Sequence, residues 1–209
     1  DPKKLLIIKH DISNIKGHIK VIKKIRKKFK KDIDILINNS GGPPPKEAIH
    51  ANLTDWKKAL NTNLLSAVSF SKIVINNMKK NKWGRILNLT STTAKEPAKN
   101  MVLSNVTRAA LTSFSKTLSL EVADYGITVN TILTGGCMTD RFLGLVKKNT
   151  KTKKEFKNNL KNIISQTTMQ RIAEPEEFVK LIIFLASEYS SYINGTAIAI
   201  DGGSSKSIF

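Results

Sequence analysis

Cysteine is almost absent. Cys137 is the only one in 209 residues, so no intramolecular disulfide can form; a reducing compartment, and so a cytoplasmic location, is expected. Histidine is nearly as scarce. His10, His18 and His50 stand far apart without ligand spacing, so no metal site is expected. No apolar run approaches the ~20 residues that a membrane-spanning helix needs, and the opening DPKK with its short apolar run does not read as a secretory leader. Aromatic residues are few and do not interleave with the lysines, which argues against a stacking groove for nucleic acid. There is no internal repeat and no shift in composition that would mark a second domain.

Positive charge, by contrast, is abundant: 35 Lys and Arg against 16 Asp and Glu, a net of +19. It is concentrated. Residues 1–31 carry twelve Lys or Arg against Asp1 and Asp11, and residues 147–161 carry seven Lys against Glu155. Such clusters attract anions such as a nucleotide phosphate, an acyl-CoA or an acidic carrier protein. For the first cluster, a solvated helix face is the better account. With 40% hydrophobic residues, the length suits one globular domain with a sizeable core.

Strand and helix patterns alternate along the chain. LLIIKH, 5–10, reads as a buried strand ending at Asp11. Asn14 is placed to cap a helix over residues 15–30, where Ile15, Ile19, Ile22, Ile25 and Phe29 recur at helical spacing. DIDILINN, 32–39, is the next strand. It stops at Asn38-Asn39-Ser40-Gly41-Gly42, and Pro43, Pro44 and Pro45 forbid continuation. Thr54 and Asp55 open a long helix carrying Trp56, Leu60, Leu64, Leu65, Val68 and Ile73. The central stretch, 84–120, reads as a strand around Ile86, Leu87 and Leu89, a loop, and a helix from about Ser104. Gly126 ends that helix before the strand ITVNTIL, 127–133. Residues 134–174 lack a clean period and contain Gly135, Gly136 and a lysine-rich helical piece, a length of connection that marks a substrate loop or lid. Pro175 starts a helix to 187, and GTAIAIDGG, 195–203, is a last strand. This alternation predicts an α/β fold with a doubly wound parallel sheet, which binds ligands at the strands' carboxyl ends. Asn88, Thr90, Ser91 and Thr92 fall at that edge.

In these motifs the sequence resembles the short-chain dehydrogenase/reductase family, most closely its 3-oxoacyl-acyl-carrier-protein-reductase-like branch. The resemblance covers essentially all of residues 1–209 and implies a single Rossmann-like domain. It implies hydride transfer between NAD or NADP and a carbonyl or hydroxyl substrate, possibly a 3-oxoacyl thioester. Ser91 falls on the family's catalytic serine. The family's Tyr-x-x-x-Lys pair falls on Ser104 and Arg108, so two working parts are changed. Asn63, within W-x-x-x-L-x-x-N-L, matches the residue that holds a relay water. For the cofactor, Asp11 and Ile12 match the adenine contact, Asn38, Asn39, Ser40 and Gly41 the turn that lines it, and Thr139 the nicotinamide contact. Arg108 is expected to hold the ribose. The family pairs its two long helices between subunits, so a homodimer or homotetramer is expected. The rival reading is a catalytically degenerate dinucleotide-binding or scaffold protein of the same fold.

One family motif has no counterpart. The first strand of the family ends in a TGxxxGxG turn that seats the pyrophosphate at a helix N-terminus, and no such spacing exists among the 11 glycines. The chain opens at the family's third strand, two strand-helix units (roughly 50–60 residues) in. The expectation is that an N-terminal part is cut away, disordered or omitted. In the family's strand order, removing the two intervening strands leaves a gap of roughly 10–15 Å between 5–10 and 32–39, so residues 1–209 alone are not expected to hold the family sheet.

Overall fold

Parallel pairing links four strands in chain order: β1 (Ile35–Asn38), β2 (Gly84–Leu89), β3 (Ile127–Thr134) and β4 (Ala197–Ile200). They come from a computed structural model that describes residues 4–148 and 150–208. Asp1, Pro2 and Lys3, which the first basic cluster includes, lie outside the described residues, as do Asn149 and Phe209. Every residue of β2 is buried, as is β3 up to Leu133, which explains their near-continuous apolar composition.

Helices cover both faces of the sheet, as the doubly wound expectation requires. On one face, Ile86 and Val129 pack against α1 (His18–Phe29), α3 (Ser66–Asn81) and α4 (Val102–Val122) through Ile22, Val74, Met78, Leu118 and Val122. On the other face, Leu87, Leu89 and Ile132 meet α7 (Pro175–Ala186) through Leu185. A buried Arg85 ties that face to the chain beyond α7, its Nε donating to Ser187 O at 3.0 Å. The remaining helices are α2 (Leu53–Leu60), α5 (Asp140–Lys148) and α6 (Lys153–Ser165).

Several expectations are corrected. Residues 5–10 form no strand: they have no ladder partner, and Leu5 and Ile7 are 62% and 83% exposed. Apolar composition expresses a preference for burial but does not supply a neighbouring strand. Ile12 and Ile37 face one another across an apolar hollow of about 270 Å³ between α1 and the outer edge of β1. The helix expected over 15–30 starts with a 3-10 turn, Ile15–Gly17, and the Asn14 side chain does not cap it. Asp11 closes the turn instead, accepting from Ser13 N and Oγ. The helix expected from Thr54 begins one residue earlier. Its cap is Asn52, which forms a reciprocal capping box with Asp55. That helix is also broken by a wide π turn, Asn61–Leu65, between α2 and α3. The segment 134–174 contains two helices, α5 and α6, where one lysine-rich helical piece was expected.

Two glycines behave oppositely. Gly126 takes φ +67° to end the helical segment before β3, and a Cβ there would lie 2.4 Å from Lys82 O. Around a Cβ on Gly41 there is open space. Gly126→Ala is expected to destabilise the complete polypeptide by about 1–2 kcal/mol from its left-handed backbone alone, and by more through the clash. Gly41→Ala should leave the denaturation midpoint unchanged. Urea titrations of the two variants check this.

Candidate active site

The carboxyl ends of β1, β2 and β3 open into a pocket of about 620 Å³. Its lining brings together six of the sequence-predicted residues besides Asn39: Ser40, Gly41, Ser91, Ser104, Arg108 and Thr139. Among the described residues that line it there is no Asp, Glu, His, Lys or Tyr.

Arg108 forms the floor. It lies in the second turn of α4, buried, and its guanidinium reaches two strand ends at once. Nη1 donates to Leu89 O, the last carbonyl of β2, at 2.8 Å, and Nη2 donates to Ser40 O, just beyond β1, at 3.0 Å. Its Nε is buried without a hydrogen-bond partner. Burial, and then the neighbouring Arg141 charge, pull the guanidinium down from its usual range to about 10. It therefore stays charged at neutral pH.

Asn63 sits behind this floor on the π turn, a local distortion common at functional sites. Its Nδ2 donates to Ser40 Oγ at 2.9 Å and to Gly41 O at 2.8 Å, gripping the turn after β1. Its Oδ1 is buried without a partner. Ser91 follows β2, and its Oγ accepts from Thr93 N at 3.2 Å. The preceding Thr90 is tied to the sheet: its N donates to Ile132 O and its O accepts from Thr134 Oγ1. Ser104 lies in the first turn of α4, one helical turn before Arg108, and is 6% exposed.

The other predicted residues are placed differently. Asn38 Nδ2 donates to Asn88 Oδ1 at 2.7 Å, and Asn88 Nδ2 in turn donates to Ser115 Oγ. Asn38 thus locks β1 to β2 and α4. Ile12 and Asn38 line the apolar hollow rather than the pocket. Asp11 lines neither, and its hydrogen bonds to Ser13 hold its carboxyl below the usual carboxylate range. Thr139 Oγ1 accepts from Phe142 N at 3.3 Å, tying down the first turn of α5.

Sequence reasoning misses Arg141, Phe142 and Cys137, which complete the wall. The signal available for Arg141 is a basic residue in the first turn of a helix, where the dipole disfavours it. The Cys137 thiol is pushed up by burial and by Glu174, Glu176 and Glu177. It remains protonated at neutral pH.

The site suits the nicotinamide-ribose end of a dinucleotide. Backbone can approach closely at Gly41, and Thr90 Oγ1, Arg108 Nε and Asn63 Oδ1 are buried polar atoms in want of partners. A glycine-rich cradle for the pyrophosphate is not among the described residues.

A family model described as enoyl-(acyl carrier protein) reductase matches residues 2–205. The NADPH-dependent reductase BacG of Bacillus subtilis is 34% identical over 98% of this chain and 79% of its own length. The 3-oxoacyl-[acyl-carrier-protein] reductase FabG of Buchnera aphidicola from Acyrthosiphon pisum is 34% identical over 92% of this chain and 75% of its own. Among solved structures, YwfH, an NADPH-dependent reductase involved in bacilysin biosynthesis, superposes with a TM-score of 0.91 at 33% identity. That match covers 97% of this chain and 78% of YwfH. L-sorbose reductase from Gluconobacter frateurii, complexed with NADPH and L-sorbose, gives 0.89 at 30% identity, over 95% of this chain and 76% of its own. With the parallel sheet, the serine at the end of β2 and the matched asparagine turn, these likenesses fix the lineage: the chain belongs to the short-chain dehydrogenase/reductase family, in its 3-oxoacyl-acyl-carrier-protein-reductase-like branch.

Proposed function

We propose that this protein is an NAD(P)-dependent oxidoreductase that moves a hydride to or from a carbonyl or hydroxyl carbon, with an atypical Ser/Arg in place of the Tyr/Lys pair. The observation that carries the reading is the convergence of Ser91, Ser104 and Arg108 on one pocket beside the open Gly41 turn. The names of the relatives support NADPH as the reductant.

A bound nicotinamide dinucleotide supplies the hydride. Asn39, Ser40, Gly41 and Thr139 are the residues that would hold it, and Arg108 offers the N–H groups not spent on Leu89 and Ser40. Ser91 Oγ donates to the substrate oxygen and orients the carbonyl. The fixed positive charge of Arg108 stabilises negative charge that develops on that oxygen in a desolvated site. Arg108 does not hand over a proton, because its pKa of about 10 leaves it a poor acid near neutrality. Ser104 is a weaker acid still. The proton therefore arrives through water held between Ser104 and the Asn63 turn. Residues 134–174 serve as the substrate segment, with α5 forming a wall of the pocket.

The absence of Tyr and Lys from the lining favours a second reading, a dinucleotide-binding or scaffold protein without chemistry. Activity tests separate the two. The complete polypeptide should oxidise NADPH with members of a broad ketone panel, and Ser91→Ala should lower kcat/KM by about 10²-fold. Turnover that appears only after Ser104→Tyr with Arg108→Lys would establish the second reading.

The lining holds no carboxylate, imidazole or phenol, and burial pushes the Cys137 thiol up, so log(kcat/KM) should be flat from pH 6 to 8.5. A bell-shaped profile centred near neutrality would contradict the water-borne proton.

Self-association belongs to the same proposal. Leu65, Val106 and Leu120 are 40%, 45% and 70% exposed on the long helical segments, an apolar load that a partner helix would cover. Light scattering of the complete polypeptide should report a dimer or tetramer; a monomer alone would refute it.

A further inference from the structure

Two guanidiniums meet in this pocket without a carboxylate between them. Arg141 Nη2 and Arg108 Nη2 lie 2.9 and 3.8 Å from the point where a Cβ on Gly42 would stand, so the two cations are neighbours. Arg141 donates from Nη2 to Gly42 O at 2.7 Å, which fixes its head over the turn after β1 and leaves its other N–H groups free for a ligand. Four ion pairs form among the described residues, and neither arginine takes part in any of them. Of the three glutamates whose charge reaches Cys137 on this wall, Glu177 is engaged by Arg171 at 2.6 Å.

Burial first, and then repulsion by the exposed Arg141, pull the buried Arg108 guanidinium down to about 10. An oxyanion between them removes that repulsion and completes charge-assisted hydrogen bonds to both forks. Carboxylate and phosphate oxygens satisfy the same geometry. The remaining wall separates them: Met101, Phe142, Leu145, Phe178, Val179 and Ile182 form an apolar surface beside the arginines. That surface suits the hydrocarbon body of a substrate rather than a nucleotide phosphate.

We propose that the substrate is an oxo acid, its carboxylate held by Arg141 with Arg108 and its apolar body against the α5–α7 wall. This rests on reading the pocket as the reductase site. Arg141 is then the residue that selects anionic over neutral carbonyl compounds.

The test is calorimetric titration of the complete polypeptide, in the presence of NADP+, with acetoacetate and with 2-oxo-4-phenylbutyrate, each against its methyl ester. The acids should bind about ten-fold tighter than the esters or better. Arg141→Gln should abolish that preference, and Arg141→Lys should keep part of it. Acids no tighter than esters, no binding of either, or a preference that survives Arg141→Gln would overturn the proposal. So would a loss confined to NADPH affinity, which would assign the arginine to a cofactor phosphate. NADPH oxidation is read separately. Acid binding without turnover would keep the carboxylate site but overturn its occupant as a substrate along with the reductase reading, whereas turnover without acid preference would overturn the carboxylate site alone.

Discussion

A buried guanidinium joins the ends of two parallel strands. Arg108 reaches from α4 to the last carbonyl of β2 and to the carbonyl of Ser40 beyond β1, donating to each within 3.0 Å. Parallel strands end with carbonyls that their own ladder does not satisfy, and a buried one without a donor is costly. A single planar fork answers two of them and so fixes the turn over which a cofactor and a substrate would lie. Asn63 holds the same turn from the opposite side, through Ser40 Oγ and Gly41 O. The site is rigid because its two supports come from helices on the sheet rather than from loops.

That arrangement changes the chemistry open to the family frame. An ammonium in this position tunes a neighbouring phenol; a guanidinium beside a hydroxymethyl has no acid to tune. What it supplies instead is fixed charge, strengthened by burial and persistent well above neutrality. Arg141 adds a second cation to the same pocket wall, whose lining holds no carboxylate side chain among the described residues.

Much of the fold was legible in the residues. The apolar runs at Gly84–Leu89 and Ile127–Thr134 announced strands buried on both faces, the run at Ile35–Asn38 a strand that proves to be half-exposed, and Gly126 and Pro175 marked helix boundaries where backbone conformation leaves few choices. The segment 5–10 misled because its composition matches that of a strand and its environment does not: Ile7 is largely exposed. The cap at Asn52 was hidden because Thr54 and Asp55 carry competing signals two and three residues later, and the π turn at Asn63 leaves no mark on helical periodicity.

Local chemistry therefore determined the alternation of strands and helices, the motif positions of Ser91, Asn63 and Arg108, and the replacement of a phenol and an amine by a hydroxyl and a guanidinium. Only tertiary structure decided what those groups face. Arg108 and Ser40 are 68 residues apart, and Arg141 and Gly42 are 99 apart. Their meeting depends on parallel strands bringing successive carboxyl ends to one edge. Sequence states which charges exist; whether each finds a carboxylate, a carbonyl or an open pocket follows from packing over distances that no local pattern records.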